Sequence, residues 1–311
     1  MAKEIFKSQE HQELFDRQGF IVLPFLDVQK IDHLNTFFDE LHPQLIDDHF
    51  VSGSYSSDFE YKKKASDEIV SVFQQSFDRY FVDYMPFGGA FLYKTPGSQS
   101  ALAPHQDWTI VDEVKDVALN CWVPLCDITI NNGPLMILPG SHYSNHPVLR
   151  APTLPFFFSS YENLILQELE PILVPAGTAV ILNQSVIHYS PANTSGIIRK
   201  AITAGVKSAG AQMRFHYQPP GENKLEVYEQ NDDFLIRFED FIKDISERPK
   251  LGKYLKTIEY SLPTYSQEEL RQLVYSLKNK AGFSSRSNQK QLQENRHLKP
   301  GFLTRLKSFF N

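Results

Sequence analysis

The sequence predicts a mainly β protein with flanking helices, and two observations support this prediction. From about residue 85 to residue 217, short apolar runs such as "GAFLYKT", "VALNCWVPL" and "GTAVILN" are separated by turn segments such as "NNG" and "PAG". No crossover helices separate these runs, which favours an all-β sandwich or barrel over a parallel sheet. Residues 1–84 and 219–311 instead carry helical patterns. We therefore expect one domain over residues 1–311, with a β core between two helical flanks.

The N-terminal flank is predicted to contain three helices and one strand. Ser8 is the expected N-cap of the first helix and Gly19 its stop, and the run "FIVLPF" follows as a short strand. Asp27 is placed to cap a second helix, whose apolar residues recur at helical spacing. Residues 49–64 are polar and predict a mobile loop, and a third helix is expected over residues 66–84.

The C-terminal flank is predicted to be polar and helical. The segment "DDFLIRFEDFIKDI" has a helical pattern, and Ser266 with Glu269 has the spacing of a capping box at the start of another helix. The last 30 residues are rich in polar side chains and then amphipathic. We expect at most a surface helix there.

Composition and charge restrict the class of partner. The chain has 311 residues and a formal net charge of -6, and its basic runs are short, whereas nucleic-acid binding needs a clustered basic surface. No apolar run is long enough to span a bilayer, and the charged N-terminus does not resemble a secretory signal. Cys121 and Cys126 have an odd separation, so a mutual disulfide is not expected within one strand. We expect a cytoplasmic protein without nucleic-acid or membrane partners, and its oligomeric state stays open.

The segment "PHQDW" contains the first two candidate metal ligands. In an extended segment residues i and i+2 point to the same side, so His105 and Asp107 can bind one ion. A third ligand has to come from a distant strand, and the candidate is His188 in "SVIHYSP". Two histidines and one carboxylate on one face are typical of non-haem iron(II) oxygenases, which keep the opposite positions open for co-substrate and oxygen.

A candidate anion-binding arginine follows the third ligand. Arg199 lies eleven residues after His188, inside the apolar run "GIIRKAITAGV". A buried arginine without a partner is costly, so either a protein carboxylate or a ligand is expected beside it. A guanidinium can bind a carboxylate with two hydrogen bonds, as a dicarboxylate co-substrate would require. Ser190 is two residues after His188 and is expected to face the same side, where it could donate to that carboxylate.

Together these segments resemble the phytanoyl-CoA dioxygenase (PhyH-like) family of Fe(II)/2-oxoglutarate-dependent oxygenases. The resemblance rests on "HQD", "NNGPLMILPGSH", and the spacing of His188 and Arg199, and it covers roughly residues 85–206. It implies a double-stranded β-helix, the cupin-like jelly roll, as the core. It also implies that His105, Asp107 and His188 bind Fe(II), and that Arg199 with Ser190 binds 2-oxoglutarate.

The same resemblance implies further roles. Trp122 is expected beside the co-substrate, Lys94 is expected near the same place, and no catalytic side chain is expected beyond the metal centre. Related halogenases lack the carboxylate ligand, so Asp107 favours hydroxylation over halogenation. The implied reaction uses O2 as a second co-substrate, hydroxylates an unactivated C–H bond and releases succinate and CO2.

The substrate is expected to be a small molecule: a secondary metabolite, an amino acid or an acyl derivative. Gln106 and Thr109 flank the metal ligands and are candidate substrate contacts. Phe91 and Tyr93 form an aromatic face on their strand, and that face could line the pocket or belong to the core. Three alternatives stay open: desaturation, cyclisation or epoxidation by the same family; a non-catalytic sensor of this fold; and a jelly-roll binding protein with structural metal ligands.

Overall fold

The computed structural model of the chain describes residues 4–143 and 148–283. In that part of the chain the helices are α1 (Gln9–Gln18), α2 (Val28–Leu41), α3 (Phe59–Tyr80), α4 (Glu162–Glu168), α5 (Phe241–Ser246) and α6 (Gln267–Lys280). The first strands are β1 (Phe20–Pro24), β2 (Phe50–Ser52), β3 (Tyr84–Lys94), β4 (Leu102–His105), β5 (Ala118–Pro124), β6 (Leu135–Ile137) and β7 (Glu170–Ile172). The remaining strands are β8 (Thr178–Asn183), β9 (His188–Ser190), β10 (Arg199–Ser208), β11 (Met213–Tyr217), β12 (Lys224–Gln230) and β13 (Lys253–Glu259).

Two antiparallel sheets form the core. One sheet has six strands in the order β1-β8-β5-β10-β3-β2, and the other has four strands in the order β4-β9-β6-β7. Apolar side chains from both sheets, including Trp122, Ile137 and Ala201, form a cluster between them. Two antiparallel sheets with this crossed strand order form a jelly roll. The predicted double-stranded β-helix is therefore confirmed.

The helical flank packs on the outer face of the six-stranded sheet. Phe37 and Phe38 from α2 and Phe73 from α3 join the sheet residues Phe91 and Ile202 in one buried cluster. Burial of this apolar surface stabilises the docking of both helices. The opposite face of the sheet is thereby left free to form the site between the sheets.

The predicted helix caps are confirmed. The Ser8 side chain accepts from the backbone of His11, and Asp27 caps α2 in the same way. Gly19 ends α1 with a φ of 81°, a left-handed conformation that favours glycine. At the start of α6, Ser266 and Glu269 form the full capping box. These signals are local in sequence, which is why the sequence predicts them well.

The predicted loop over residues 49–64 is wrong in most of its length. Strand β2 pairs with β3 within it, and α3 begins at Phe59 with Asp58 as its N-cap. Helix α3 ends at Tyr80 and does not reach residue 84. The first turns of α3 are charged, so they lack the periodic apolar residues by which a helix is predicted from sequence. One of these charged residues, Lys62, is nevertheless buried in the folded structure.

The prediction of a helical C-terminal flank is also partly wrong. Strands β12 and β13 pair antiparallel with β11 in a separate three-stranded sheet. The segment "DDFLIRFEDFIKDI" divides into a short 3-10 turn at Phe234–Ile236 and the helix α5. The alternation of buried Leu225 and Val227 is a strand signal that the sequence contained. The predicted surface helix near the C-terminus lies outside the described residues.

Two other expectations concern the cysteines and the membrane. Cys121 and Cys126 are both free thiols. Among the described residues, no helix combines the length and apolar character that crossing a membrane requires.

Candidate metal site

Strands β4 and β9 bring the three predicted metal ligands together. The two strands pair antiparallel with His105 opposite His188, so both imidazoles point to one side. One ligand atom from each of His105, Asp107 and His188 lies within 4.8 Å of the others. The two imidazole centroids are 4.1 Å apart, and Nε2 of His105 is 3.9 Å from Oδ1 of Asp107. The prediction from the sequence that these three side chains converge agrees with this geometry.

Backbone carbonyls orient both histidines. Nδ1 of His105 donates to the carbonyl of Ala103 at 2.8 Å, and Nδ1 of His188 donates to the carbonyl of Val186 at 3.0 Å. Each Nε2 is thereby left for a metal ion, which binds the unprotonated nitrogen of an imidazole. Burial, and then the neighbouring His188, lower the pKa of His105 to about 4.

Asn120 on β5 holds the carboxylate ligand in place. Its Nδ2 donates to Oδ2 of Asp107 at 3.4 Å, and its Oδ1 accepts a hydrogen bond from the hydroxyl of Thr203 on β10. This leaves Oδ1 of Asp107 turned toward the histidines. The sequence analysis missed Asn120, although a single polar residue inside the apolar run "VALNCWVPL" was a usable signal.

The Asn120→Ala variant tests this supporting role. Groups that hydrogen-bond a metal ligand typically change metal affinity by about 10- to 100-fold, so we expect Fe(II) to bind that much more weakly. Anaerobic calorimetric titration with Fe(II) measures the change. Asn35→Ala is the control, because Asn35 donates to the backbone carbonyls of Ile31 and Leu125, far along the chain from Asp107. Equal affinity in Asn120→Ala and wild type would show that Asp107 needs no such support.

Arg150 fixes the loop that follows the metal ligands. It is 4% exposed, its Nε donates to the backbone carbonyl of Asp107 at 2.8 Å, and its guanidinium makes a two-pronged pair with Glu113. The hydroxyl of Thr109 accepts from the backbone N–H of Arg150 at 3.0 Å. Thr109 is therefore part of this structural clamp, and the structure does not bring it to the cavity beside the metal ligands.

The Arg150→Met variant is expected to lose about 3 kcal/mol of unfolding free energy, because breaking a buried pair leaves the partner charge uncompensated. Urea denaturation measures this loss. The control is Arg214→Met, because the Arg214 side chain is 24% exposed in its ion pair with Asp112, against 3% for Arg150. Its pair is expected to contribute about 1 kcal/mol or less. Equal stability of the two variants would contradict the clamp.

Two buried basic side chains, Arg199 and Lys94, lie next to each other beyond the metal ligands. Arg199 is opposite Lys94 in the pairing of β10 with β3, and their side chains are 2% and 0% exposed. Nζ of Lys94 donates to the carbonyls of Ser190 and Pro191, each at 2.7 Å. Burial, and then the charge of Arg199, lower the pKa of Lys94 to about 6.

Arg199 has no anionic partner among the described residues. Its Nε is buried without a hydrogen-bond partner, and its guanidinium carbon lies 5.6 Å from the ring centroid of Trp122. Burial lowers the pKa of Arg199 to about 10, so the side chain is still charged at neutral pH. A buried guanidinium without an anionic partner among the described residues fits the carboxylate of a bound anion.

The predicted contact from Ser190 takes a different form. Its hydroxyl donates to the carbonyl of Gly133 at 3.0 Å, so its one hydrogen is already engaged by the protein. Ser190 stays a predicted co-substrate contact, which would require rotation of its hydroxyl. Its backbone carbonyl has a role that was not foreseen, since it accepts from Lys94.

A cavity of about 290 Å³ adjoins the metal ligands His105 and Asp107. Gln106 lines it, is 3% exposed and bonds the carbonyl of Ser185, while its Oε1 has no hydrogen-bond partner among the described residues. Gln184 lines it as well, and its Oε1 is equally without a partner there. Gln106 thus stays a predicted substrate contact, and Gln184 is a polar group that the sequence analysis missed.

Phe91 and Tyr93 do not reach this cavity. Phe91 is fully buried and packs edge-on against Phe38 of α2, and Tyr93 does the same. Alternation along β3 places both on the outer face of the sheet, while Lys94 points toward the site. The structure thus decides between the two interpretations that the sequence left open, and both residues belong to the core.

The residues present fit an iron ion with a dicarboxylate co-substrate. Two imidazoles and one carboxylate supply three ligands on one face. The guanidinium of Arg199, which has no anionic partner among the described residues, lies on β10 in the other sheet. Within a jelly roll, this combination defines the class of non-haem, metal-dependent oxygenases.

The chain belongs to the phytanoyl-CoA dioxygenase (PhyH) family, whose model matches residues 15–201. Phytanoyl-CoA dioxygenase 1 of Oryza sativa subsp. japonica is 30% identical over 118 residues, which are 37% of this chain and 42% of that protein. A phytanoyl-CoA dioxygenase domain-containing protein 1 of Danio rerio is 31% identical over 120 residues, which are 36% of this chain and 41% of that protein. The matched region thus spans less than half of either relative.

A solved structure shows the same fold. The non-haem α-ketoglutarate-dependent carbocyclase SnoK from nogalamycin biosynthesis superposes with a TM-score of 0.51 at 18% identity, covering 67% of this chain and 87% of that chain. At this identity the likeness concerns the jelly roll and its flanks. Leu235, Ile236 and Phe241, which line the cavity, lie beyond the part that the family model matches.

Proposed function

We propose that this protein is an Fe(II)- and 2-oxoglutarate-dependent oxygenase that hydroxylates an unactivated C–H bond of a small molecule. The observation that carries the proposal is the convergence of His105, Asp107 and His188 within 4.8 Å. Their ligand types suit Fe(II), and family membership supports the same activity. Iron bound there with 2-oxoglutarate supplies the oxidising chemistry, in which O2 is consumed.

The protein contributes binding and orientation. Arg199 pairs with the distal carboxylate of 2-oxoglutarate, Trp122 lies against the guanidinium, and Lys94 lies opposite Arg199 on the neighbouring strand. Asn120 and Arg150 hold Asp107 from its side chain and its backbone. One oxygen atom of O2 enters the substrate as a hydroxyl, and the other enters succinate as 2-oxoglutarate loses CO2.

The aromatic walls of the cavity exclude water from the reacting bond. Trp108, Phe156 and Phe241 line it together with aliphatic side chains. A substrate in this cavity lies directly beside His105 and Asp107. The presence of Asp107 as a third protein ligand favours hydroxylation over halogenation.

Succinate formation tests the proposal. Wild-type protein is incubated aerobically with Fe(II), 2-oxoglutarate and a collection of small molecules, and succinate is measured with and without each of them. Asp107→Ala is the inactive comparison, and Asp112→Ala, in a surface ion pair, is the matched control. Substrate-stimulated succinate in wild type and Asp112→Ala, with none in Asp107→Ala, supports the proposal. Equal succinate in all three proteins would refute it.

A further inference from the structure

Part of the wall of the cavity beside the metal ligands consists of residues outside the family match. Leu235 and Ile236 follow strand β12, and Phe241 begins α5. All three lie beyond residue 201, where the family model ends. This part of the wall therefore belongs to the chain's own C-terminal segment, and it can select the substrate.

The walls are largely apolar and aromatic. The rings of Trp108 and Phe241 are stacked with centroids 6.0 Å apart at 14°, and the Tyr55 ring lies 4.4 Å from Phe241. Phe87 and Ile110 line the cavity as well. A ligand enclosed here exchanges water for apolar side chains, which favours a substrate with an apolar body.

The two charged side chains of the cavity lining differ in whether a substrate can pair with them. Among the described residues that line this cavity, Lys62 is the one cationic side chain and Asp107 the one carboxylate. Asp107 faces the two histidines as a metal ligand. A cationic substrate would find no carboxylate to pair with, whereas an anionic substrate would find Lys62.

Lys62 is unusually placed for a lysine. It is 2% exposed, its Nζ donates to the backbone carbonyl of Phe238, and the structure gives it no ion pair within the described residues. Burial lowers the pKa of Lys62, and Asp244, Asp58 and Glu239 oppose this only from a distance. An ammonium has three donors, so two remain after the bond to Phe238.

We propose that the substrate is an apolar small molecule with one carboxylate, which is bound by Lys62, and that it is used as a free acid. The proposal rests on the function proposed above for the metal site. A coenzyme A thioester fits poorly, because its several phosphate charges would meet only one cation. The cavity, at about 290 Å³, also lies at the small end of the range of ligand pockets.

Three probes with one carbon skeleton test this proposal: phenylbutanoate, phenylbutanamide and phenylbutylamine. They are titrated anaerobically into protein that contains Fe(II) and 2-oxoglutarate, and binding is followed by tryptophan fluorescence, since Trp108 lines the cavity. We expect the acid to bind about 10- to 100-fold more tightly than the amide, as expected for a hydrogen bond to a charged group. The amine is expected to bind most weakly.

Variants separate the charge of Lys62 from its structural bond. Lys62→Gln keeps an N–H for the carbonyl of Phe238 and removes the charge, so it should lose the preference for the acid. Lys63→Gln, at the next and exposed position of α3, should keep it. Phe241→Ala should weaken all three probes together. If Lys62→Gln does not fold, the ranking in the wild type still decides the matter.

The titration distinguishes failure of the carboxylate proposal from failure of the proposed oxygenase function. Equal or tighter binding of the amide or amine, no binding of phenylbutanoate at millimolar concentration, or a preference that survives in Lys62→Gln would each overturn the carboxylate proposal. The Fe(II)/2-oxoglutarate absorption band is recorded first in the same samples. Its absence would count against the proposed oxygenase function, and the ranking of the probes would still report on Lys62.

Discussion

The His188→Ala variant is expected to show no visible charge-transfer band when Fe(II) and 2-oxoglutarate are added without oxygen, whereas the wild type is expected to show one. The band requires metal and co-substrate bound together, and His188 contributes the ligand from β9. Removing one of three protein ligands should abolish the complex, because two remaining ligands on β4 and its following loop do not enclose the ion. Anaerobic absorption spectroscopy measures the result without knowledge of the substrate.

His33→Ala is the matched control. His33 is on the surface of α2, paired with Glu68, and its side chain is 54% exposed. Its removal should leave the band unchanged. A band of full intensity in folded His188→Ala would show that the three residues are not the ligand set, and the proposed function would fail with it.

Replacing Arg199 by methionine is expected to separate co-substrate binding from stability. The requirement for 2-oxoglutarate should rise by about 30- to 4,000-fold, since truncating one member of a buried charge pair costs about 2–5 kcal/mol. The free energy of unfolding should stay equal or rise, because Arg199 forms no ion pair with described residues and methionine removes its desolvation cost. Titration of the charge-transfer band and urea denaturation measure the two effects.

Lys200→Met controls for position on the strand. Lys200 is the next residue of β10, faces the helical side, and lies over the ring of Phe38 beside Asp39. It should leave the affinity for 2-oxoglutarate unchanged. An unchanged requirement for 2-oxoglutarate in Arg199→Met would remove Arg199 from the co-substrate site, while a large loss of stability would mean that it has a structural partner.

The metal ligands and the helix caps were accessible from sequence because their determinants are local or periodic. His105 and Asp107 share a side through the two-residue period of an extended chain. Ser8, Asp27 and Ser266 cap helices through bonds that span only three residues. Arg199 was detectable because a charge inside an apolar run demands a partner.

The support of the site was harder to foresee because its bonds join distant segments. Asn120 and Asp107 are 13 residues apart, and Arg150 and Asp107 are 43 apart. Neither spacing follows from a helical or strand period. The faces of β3 were similarly undecided, since alternation separates Phe91 and Tyr93 from Lys94 without telling which face meets the helices.

The sequence by itself determined the β core, the caps of α1, α2 and α6 and the residue types of the metal site, since local backbone preference and periodic burial act within a few residues. Only the tertiary structure decided which residues wall the cavity. Lys62 meets the carbonyl of Phe238 across 176 residues of chain. Phe241, at the start of α5, stacks on Trp108, which lies in the loop after β4. Such contacts depend on how complete elements pack, because a cavity is the space left between them and has no period in the sequence.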